Sequence, residues 1–593
     1  MHSVLKDVFG YDRFRPLQQS IIEGLLDKKD ALVVMPTGGG KSLCYQLPAI
    51  VEPGLTIVIS PLIALMTDQV TSLRQLDIEA VALHSQLNQR ERQDILEVLR
   101  LEKAKLLYLA PETLLLNETL TLLSGLSISL IAVDEAHCIS VWGNDFRPEY
   151  AALGCLKHHF PNTPIVALTA TADKATQSDI VKQLEIGGCN IYVDSFRRKN
   201  ILIRAKAGLK RKEKILQFIR DHENESGIIY CLSRKGAEKL SKAISEVGYS
   251  AGFYHAGMDS DTRRQVQHDF VNDEIHVICA TIAFGMGIDK SNVRYVIHYN
   301  LPKNLESYYQ EIGRAGRDGL SSETLLFYSW NDRKILEEFI EKGEGVQRHK
   351  QVQIDKLERM WQFATSTSCR TNFILNYFGE FETQDCGHCD ICQNPPKRFD
   401  GTVLAQKALS AVARTREQIV ATDLIHVLRG SMRKHINQAG WHQLKTFGSG
   451  RDLSFQEWRE YIAQLLNLGL LTIDYSDYSH VKLTPLSMDV LKGHQEVSLY
   501  KHITVESKRK IELSHEKVDQ SLLNILKEWR RTQANQRSVP AYVILSDASL
   551  NDLCKKLPVS NVDLLDIHGI GQIKAKRYGN TLLKIIEGHR NGA

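Results

Sequence analysis

Residues 31–42 read ALVVMPTGGGKS, an aliphatic run that stops at a proline and passes into three consecutive glycines, a lysine and a serine. An unbroken run such as Ala31–Val34 suits a strand buried on both faces, as in a parallel sheet. After it, Thr37, Gly38, Gly39 and Gly40 form a loop whose backbone N–H groups are able to wrap phosphate oxygens. Lys41 would reach the outer phosphates, and Ser42 would offer a hard oxygen to Mg²⁺. The stretch predicts an α/β fold with a phosphate-bearing ligand at the carboxyl end of a strand.

The surrounding chain repeats that alternation. The runs LTIVISP, KLLYLAP, SLIAVDEAH and PIVALTAT each end in a polar or proline-containing turn, and amphipathic stretches separate them. A second series over 201–345 contains GIIYCLS, HVICAT and YVIHYNLP. Two parallel-sheet lobes are therefore expected, covering 1–200 and 201–345. From there the chain becomes mostly helical, passes through a cysteine cluster and meets Asn394-Pro395-Pro396, a boundary signal. The remaining expected division is a zinc module over 346–400, a winged helix over 401–504, a charged linker over 505–520 and a small helical domain over 521–593.

Two further motifs supply chemistry. At the end of SLIAVDEAH, Asp134 is placed to hold Mg²⁺, and Glu135 to orient or deprotonate an attacking water. In YYQEIGRAGRDG, 308–319, Gln310, Arg314 and Arg317 recur at intervals of four and three, which predicts one helix face. One of these arginines would stabilise charge on a transferring phosphoryl group when the lobes close. Chemically, the set fits ATP hydrolysis.

Of the eleven cysteines, seven are scattered singly, mostly in apolar surroundings, and suit reduced core thiols. The other four, Cys369, Cys386, Cys389 and Cys392, form a tetrahedral Zn²⁺ set with a distant first ligand and overlapping CxxC spacings. His388 is a neighbouring competitor, but four sulfurs already complete the coordination. The formal net charge of +4 over 593 residues does not by itself indicate a nucleic-acid partner. The N-terminus lacks a secretory pattern, and no apolar run approaches the length of a membrane span, so a soluble, unsecreted protein without a membrane partner is expected.

The motifs FGYDRFRPLQ (9–18), SPLIALMTDQ (60–69), DEAHCIS, ALTATA (167–172), YHAG (254–257), ATIAFGMGIDK (280–290) and QEIGRAGRDG follow one another in an order and spacing that resemble the RecQ family of superfamily 2 helicases. Met35 stands where a P-loop pattern begins with glycine, a departure that helicase-type ATPases share. The resemblance extends through the zinc module and winged helix into a C-terminal domain similar to the family's HRDC domain.

That resemblance implies an ATP-dependent DNA helicase moving 3′ to 5′ on single-stranded DNA, with ATP, Mg²⁺ and Zn²⁺ as cofactors. It implies that Tyr11 stacks on the adenine while Arg15 and Gln18 recognise it. It also implies that Trp142, Phe146 and Arg147, in DEAHCISVWGNDFRPEY (134–150), couple strand binding to hydrolysis. There Val141 and Asn144 replace the family's usual Gln and His. In the last domain Tyr542 would touch single strands, and Lys574, Lys576 and Arg577 offer charge to phosphate. The implied setting is recombination, repair and the SOS response in a bacterial cytoplasm, associated with the nucleoid. The implied partners are single-stranded, forked or duplex DNA, single-strand DNA-binding protein and topoisomerase, with the chain itself a monomer. An RNA helicase of the DEAH-box kind and a DNA-annealing scaffold with a dispensable motor are the competing readings. The zinc, winged-helix and HRDC-like set argues against the first.

Overall fold

The computed structural model describes all of residues 1–593 except 141–146, 286–289, 344–346, 383, 476, 502–518, 538 and 593. Its centre is a pair of parallel sheets. The first contains β1 (Ala31–Val34), β2 (Leu55–Ile59), β3 (Ala80–Leu83), β4 (Leu106–Leu109), β5 (Ile128–Val133), β6 (Ile165–Thr169) and β7 (Asn190–Val193). Their order across the sheet is β3-β4-β2-β5-β6-β1-β7. β1 lies between β6 and β7 with every residue buried, as its aliphatic run predicts.

The second sheet contains β8 (Ile201–Ala207), β9 (Ser226–Tyr230), β10 (Ala251–Tyr254), β11 (Val277–Ala280), β12 (Val293–His298) and β13 (Ser322–Tyr328). Their order is β10-β11-β9-β12-β13-β8, again with parallel pairing throughout. Helices cover both sheets, and apolar side chains from the two lobes and from helices 347–365 and 370–377 join in one buried cluster. The fold class read from the sequence, two RecA-like α/β lobes followed by smaller modules, is what the chain adopts.

The zinc module consists of the helices Gln347–Thr365 and Arg370–Tyr377 and a short turn of helix, Asp390–Gln393. Asp390 anchors it to the second lobe, because its Oδ2 accepts a hydrogen bond from the backbone N–H of Ala205 on β8 at 2.9 Å. Arg370 holds that carboxylate from the other side, Nε to Oδ1 at 3.0 Å. A second buried pair, Lys356 and Glu306 at 2.7 Å, ties the long module helix to the helix Leu305–Ile312 of the second lobe.

The helices of the winged-helix domain share one core that includes Trp458, whose indole N–H donates to the carbonyl of Gly450 at 2.8 Å. Its wing is the antiparallel hairpin Leu471–Asp474 with His480–Leu483. Tyr478, with φ +54°, projects at its tip beneath the guanidinium of Arg348. The C-terminal helical domain runs from Gln520 to Gly592 with its own core. Among the described residues, no helix is long and apolar enough to cross a membrane.

Candidate functional site

The phosphate loop follows β1. Gly38 and Gly40 have φ of +80° and +84°, conformations that favour glycine, and a Cβ on Gly40 would meet the Gln18 amide at 2.4 Å. Gln18 Nε2 donates to the carbonyls of Gly40 at 3.1 Å and Gly39 at 3.4 Å, while its Oε1 accepts from the Arg15 N–H at 2.8 Å. The Arg15 guanidinium donates to the Gly38 carbonyl. Arg15 and Gln18 thus brace the outside of the loop. Lys41 Nζ donates to the Met35 carbonyl at 3.1 Å, and burial lowers its pKa against the pull of Glu135 and Asp134.

The carboxylates lie at the end of β5, next to β2 in the sheet. Glu135 adopts φ +49°, and its N–H donates to Asp134 Oδ1 at 3.0 Å. Burial, then the neighbouring Glu135 charge, push the Asp134 carboxyl up. Burial also pushes Glu135 up, but His137, Lys41 and Arg314 outweigh it and hold that carboxyl down. Such a half-buried acidic pair, together with the Ser42 hydroxyl that ends the glycine loop, is a hard-oxygen set that suits Mg²⁺. His137 is buried with Nδ1 3.3 Å from Glu135 Oε2 and 3.0 Å from Thr169 Oγ1. Tyr150 donates its hydroxyl proton to the Asp134 carbonyl at 3.1 Å.

The second lobe closes the site. Gln310 Nε2 donates to Thr171 Oγ1, in the ALTATA stretch, at 3.0 Å. The expected single helix face for Gln310, Arg314 and Arg317 does not form, since the helix ends at Ile312 and residues 313–319 turn. Gly316, with φ +58°, and capture of the loop's carbonyls by Arg198 and Asn200 account for that ending. Both arginines still converge on the site: Arg314 lowers the Glu135 carboxyl, and Arg317 lowers Lys41. Arg317 Cα would lie 3.5 Å from a Cβ on Gly38.

Arg198, in the linker between β7 and β8, was not signalled by any motif. Its Nη1 donates to the Thr37 carbonyl at 2.6 Å, and its Nη2 to Ala315 at 3.0 Å and Gly316 at 3.1 Å. His137 and Tyr150 likewise carry no signal of their own in the sequence, although His137 stands inside the DEAH motif.

Tyr11 lies 5.5 Å, centroid to centroid, from the His568 ring of the C-terminal domain. That domain sits against the N-terminal segment: Gly569 N–H donates to the Gly10 carbonyl at 3.1 Å, and Gln572 Nε2 to Asp7 Oδ1 at 3.0 Å. The approach is close enough that a Cβ on Gly10 would fall 2.6 Å from the Gly571 nitrogen. Arg577 donates to the Gln75 carbonyl at 2.8 Å and to Asp77 at 3.0 Å, so the first lobe engages it. Burial, then Arg577, push Lys574 down to about 8. Lys576 is exposed and Tyr542 half-buried. Trp142, Phe146, Val141 and Asn144 lie outside the described residues, while Arg147 Nη1 donates to the Pro61 carbonyl at 3.1 Å.

The four cysteine sulfurs lie within 4.8 Å of one another. Separations of 3.8 Å for Cys386–Cys392 and 3.4 Å for Cys389–Cys392 are close to the roughly 3.8 Å edge of a tetrahedron with Zn–S bonds of about 2.3 Å. Backbone N–H groups of Arg370, Cys386 and Cys389 point at sulfurs of the set at 3.3–3.4 Å, which suits thiolates. His388 turns its Nδ1 to the Cys386 carbonyl at 2.9 Å and does not join the cluster. The residues present fit Zn²⁺.

Family models match the chain almost end to end: DEAD/DEAH box helicase over 15–180, helicase conserved C-terminal domain over 210–319, RecQ zinc-binding over 330–393, RQC domain over 395–508 and HRDC domain over 519–586. The chain is 43% identical over 594 residues to ATP-dependent DNA helicase RecQ of Haemophilus influenzae, covering 99% of this chain and 96% of that one. It is 41% identical to the protein of that name from Pasteurella multocida, covering 99% and 93%. With that of Bacillus subtilis it shares 37% identity, covering 99% and 98%.

Proposed function

The chain belongs to the RecQ family, and from that membership we propose that it couples ATP hydrolysis to 3′ to 5′ movement on single-stranded DNA and to duplex unwinding. The observation that carries this reading is an ATP site divided between two lobes. The phosphate loop and acidic pair come from the first, Gln310, Arg314 and Arg317 from the second, with a hydrogen bond from Gln310 to Thr171 across the gap.

In this reading Gly38, Gly39 and Gly40 bind phosphate oxygens through their N–H groups, aided by Thr37, and Lys41 leaves the Met35 carbonyl to pair with the outer phosphates. Asp134 and Ser42 would hold Mg²⁺, which when bound would draw charge from the phosphates. Glu135, kept ionised by His137 and the nearby cations, orients the attacking water and accepts its proton. Arg314 and Arg317 stabilise the charge that develops on the phosphoryl oxygens. Family membership supports recognition of the adenine by Arg15 and Gln18 and stacking of Tyr11 on it.

Because two of these groups sit on a lobe that moves relative to the other, hydrolysis alternates with opening and shifts the grip on DNA. Trp142 and Phe146 would stack on bases and, with Arg147, report the strand to the acidic pair. Tyr542 is a further candidate for strand contact. Family membership supports a role in recombination and repair, including stalled forks, in a bacterial cytoplasm near the nucleoid. It also supports a monomeric motor working with single-strand DNA-binding protein and a topoisomerase. The deciding experiment is strand separation on tailed duplexes of each polarity with and without ATP. Unwinding only with ATP and a 3′ tail is expected, and full separation by Lys41→Ala would sink the proposal.

A further inference from the structure

The segment 194–200 joins the two sheets, yet it is held by three parts of the molecule. On one side is the zinc module. Ser195 Oγ donates to Glu380 Oε1 at 2.6 Å, Phe196 N–H donates to Glu380 Oε2 at 2.9 Å, and the Phe196 ring stacks on Phe378 at 4.3 Å and 10°. On another is the helix bearing Gln310, whose Tyr309 hydroxyl donates to the Phe196 carbonyl at 2.9 Å. On the third is the ATP site itself. The Arg198 guanidinium reaches the carbonyls of Thr37 at 2.6 Å, Gly313 at 3.5 Å, Ala315 at 3.0 Å and Gly316 at 3.1 Å.

We propose that Arg198 is a positioning residue for ATP hydrolysis, fixing the spacing between the phosphate loop and the loop that carries Arg314 and Arg317, with the zinc module holding it from behind. The inference rests on the reading of the site given above. Its logic is geometric. The carbonyls it gathers belong to the two loops that must grip opposite sides of one triphosphate, and the hydrogen bonds of Arg198 described above all end on backbone carbonyls. A planar guanidinium with several fixed donors spans carbonyls from both loops at once, whereas an ammonium acts as a single compact charge. Asn200 supports the same loop, its Nδ2 donating to Gly316 and Leu320 carbonyls at 2.9 Å each. The linker therefore does more than connect the lobes.

A purely structural role and a positioning role part company in kinetics. Binding of ADP needs mainly the phosphate loop, which Arg15 and Gln18 brace independently, whereas turnover needs both loops in register. Misplacement of catalytic groups by about 1 Å costs on the order of 100-fold in rate. Arg198→Gln in the full chain is thus expected to lower kcat for DNA-stimulated ATP hydrolysis about 10- to 100-fold, with fluorescent-ADP affinity within about threefold of the parent and zinc content unchanged. Arg198→Lys should recover only part of kcat. Glu380→Gln should lower kcat in the same direction by a smaller factor.

A kcat within about threefold of the parent in Arg198→Gln overturns the proposal, as does a loss of ADP affinity or zinc that tracks the loss of kcat. If the Gln variant does not fold, Arg198→Lys decides by the same criteria. An unchanged kcat in Glu380→Gln overturns the part assigned to the zinc module. The parent assayed alongside separates the two levels: if it shows no DNA-stimulated ATPase, the functional reading fails, and if it is active while Arg198→Gln matches it, only the inference fails.

Discussion

Replacing Thr171 by valine deletes one hydroxyl and keeps the branched shape of a side chain that is 3% exposed. That hydroxyl accepts the Gln310 amide at 3.0 Å, so the substitution removes a hydrogen bond that exists only while the lobes are together. A neutral hydrogen bond contributes a net 0.5–1.5 kcal/mol, roughly a two- to twelvefold effect on a rate. Since ATP first meets the first lobe, the loss should fall on kcat and leave KM for ATP nearly constant. The measurement is steady-state ATPase with saturating single-stranded DNA for Thr171→Val, Gln310→Leu and the double variant. If the two side chains act through one another, the double variant is no worse than the poorer single one, and the coupling is about 1 kcal/mol. Additive losses, with coupling below about 0.3 kcal/mol, would refute the argument.

Trp142→Ala is expected to retain basal ATPase and to lose most of the stimulation by single-stranded DNA, checked by titrating DNA at fixed ATP; equal losses of both would contradict a signalling role. Metal analysis should find about one Zn²⁺ per chain and none in Cys389→Ala, where the Ala205 amide on β8 should also lose hydrogen-exchange protection. Lys356→Met leaves the buried Glu306 carboxylate without its partner and should destabilise by about 3–5 kcal/mol, read from urea unfolding. In the parent, burial pushes Glu306 up, but Lys356 and Tyr377 outweigh it and hold the pKa below the ordinary 4.5. Its stabilising contribution is therefore complete above that value and lost as pH falls through the folded pKa. Glu306→Gln should accordingly flatten the acid side of the stability profile.

Much of the architecture is written in local patterns. The strands β1, β2, β4, β5 and β6 are predominantly aliphatic runs because neighbours and helices bury them almost throughout, with Thr56 and Ser129 of the adjacent β2 and β5 satisfying each other at 3.2 Å. The strands without such a signature have particular reasons. β7 is an edge strand with Ile191 and Val193 exposed, and β8 ends in Arg204, Ala205, Lys206 and Ala207. β13 opens on Ser322 and Glu323, whose carboxylate is buried against Arg204 of the adjacent strand at 2.8 Å. A charge neutralised by a strand partner looks like loop when only one of the two is in view.

The same distinction applies to the site. Thr37–Ser42, Asp134 and Glu135 are legible because phosphate and metal chemistry demand particular residues a few positions apart. Arg198 is not, since its partner Thr37 lies 161 positions away and is recognised through a carbonyl that any residue possesses. The expectation of one helix face for Gln310, Arg314 and Arg317 failed for a related reason. Periodicity described the spacing, whereas Gly316 and the captured carbonyls set the actual turn.

The clasp of Phe378 and Glu380 on the interlobe segment also bears on how the protein is made. Phe196 and Glu380 are 184 residues apart, so during synthesis both halves of the motor leave the ribosome before the residues that grip their connection exist. The ligands that organise this grip flank it in the chain, Cys369 before it and Cys386, Cys389 and Cys392 after it, so the cluster cannot close until the gripping residues themselves have been made. The connection between the two sheets is thus clasped only after the zinc module has been synthesised and has folded.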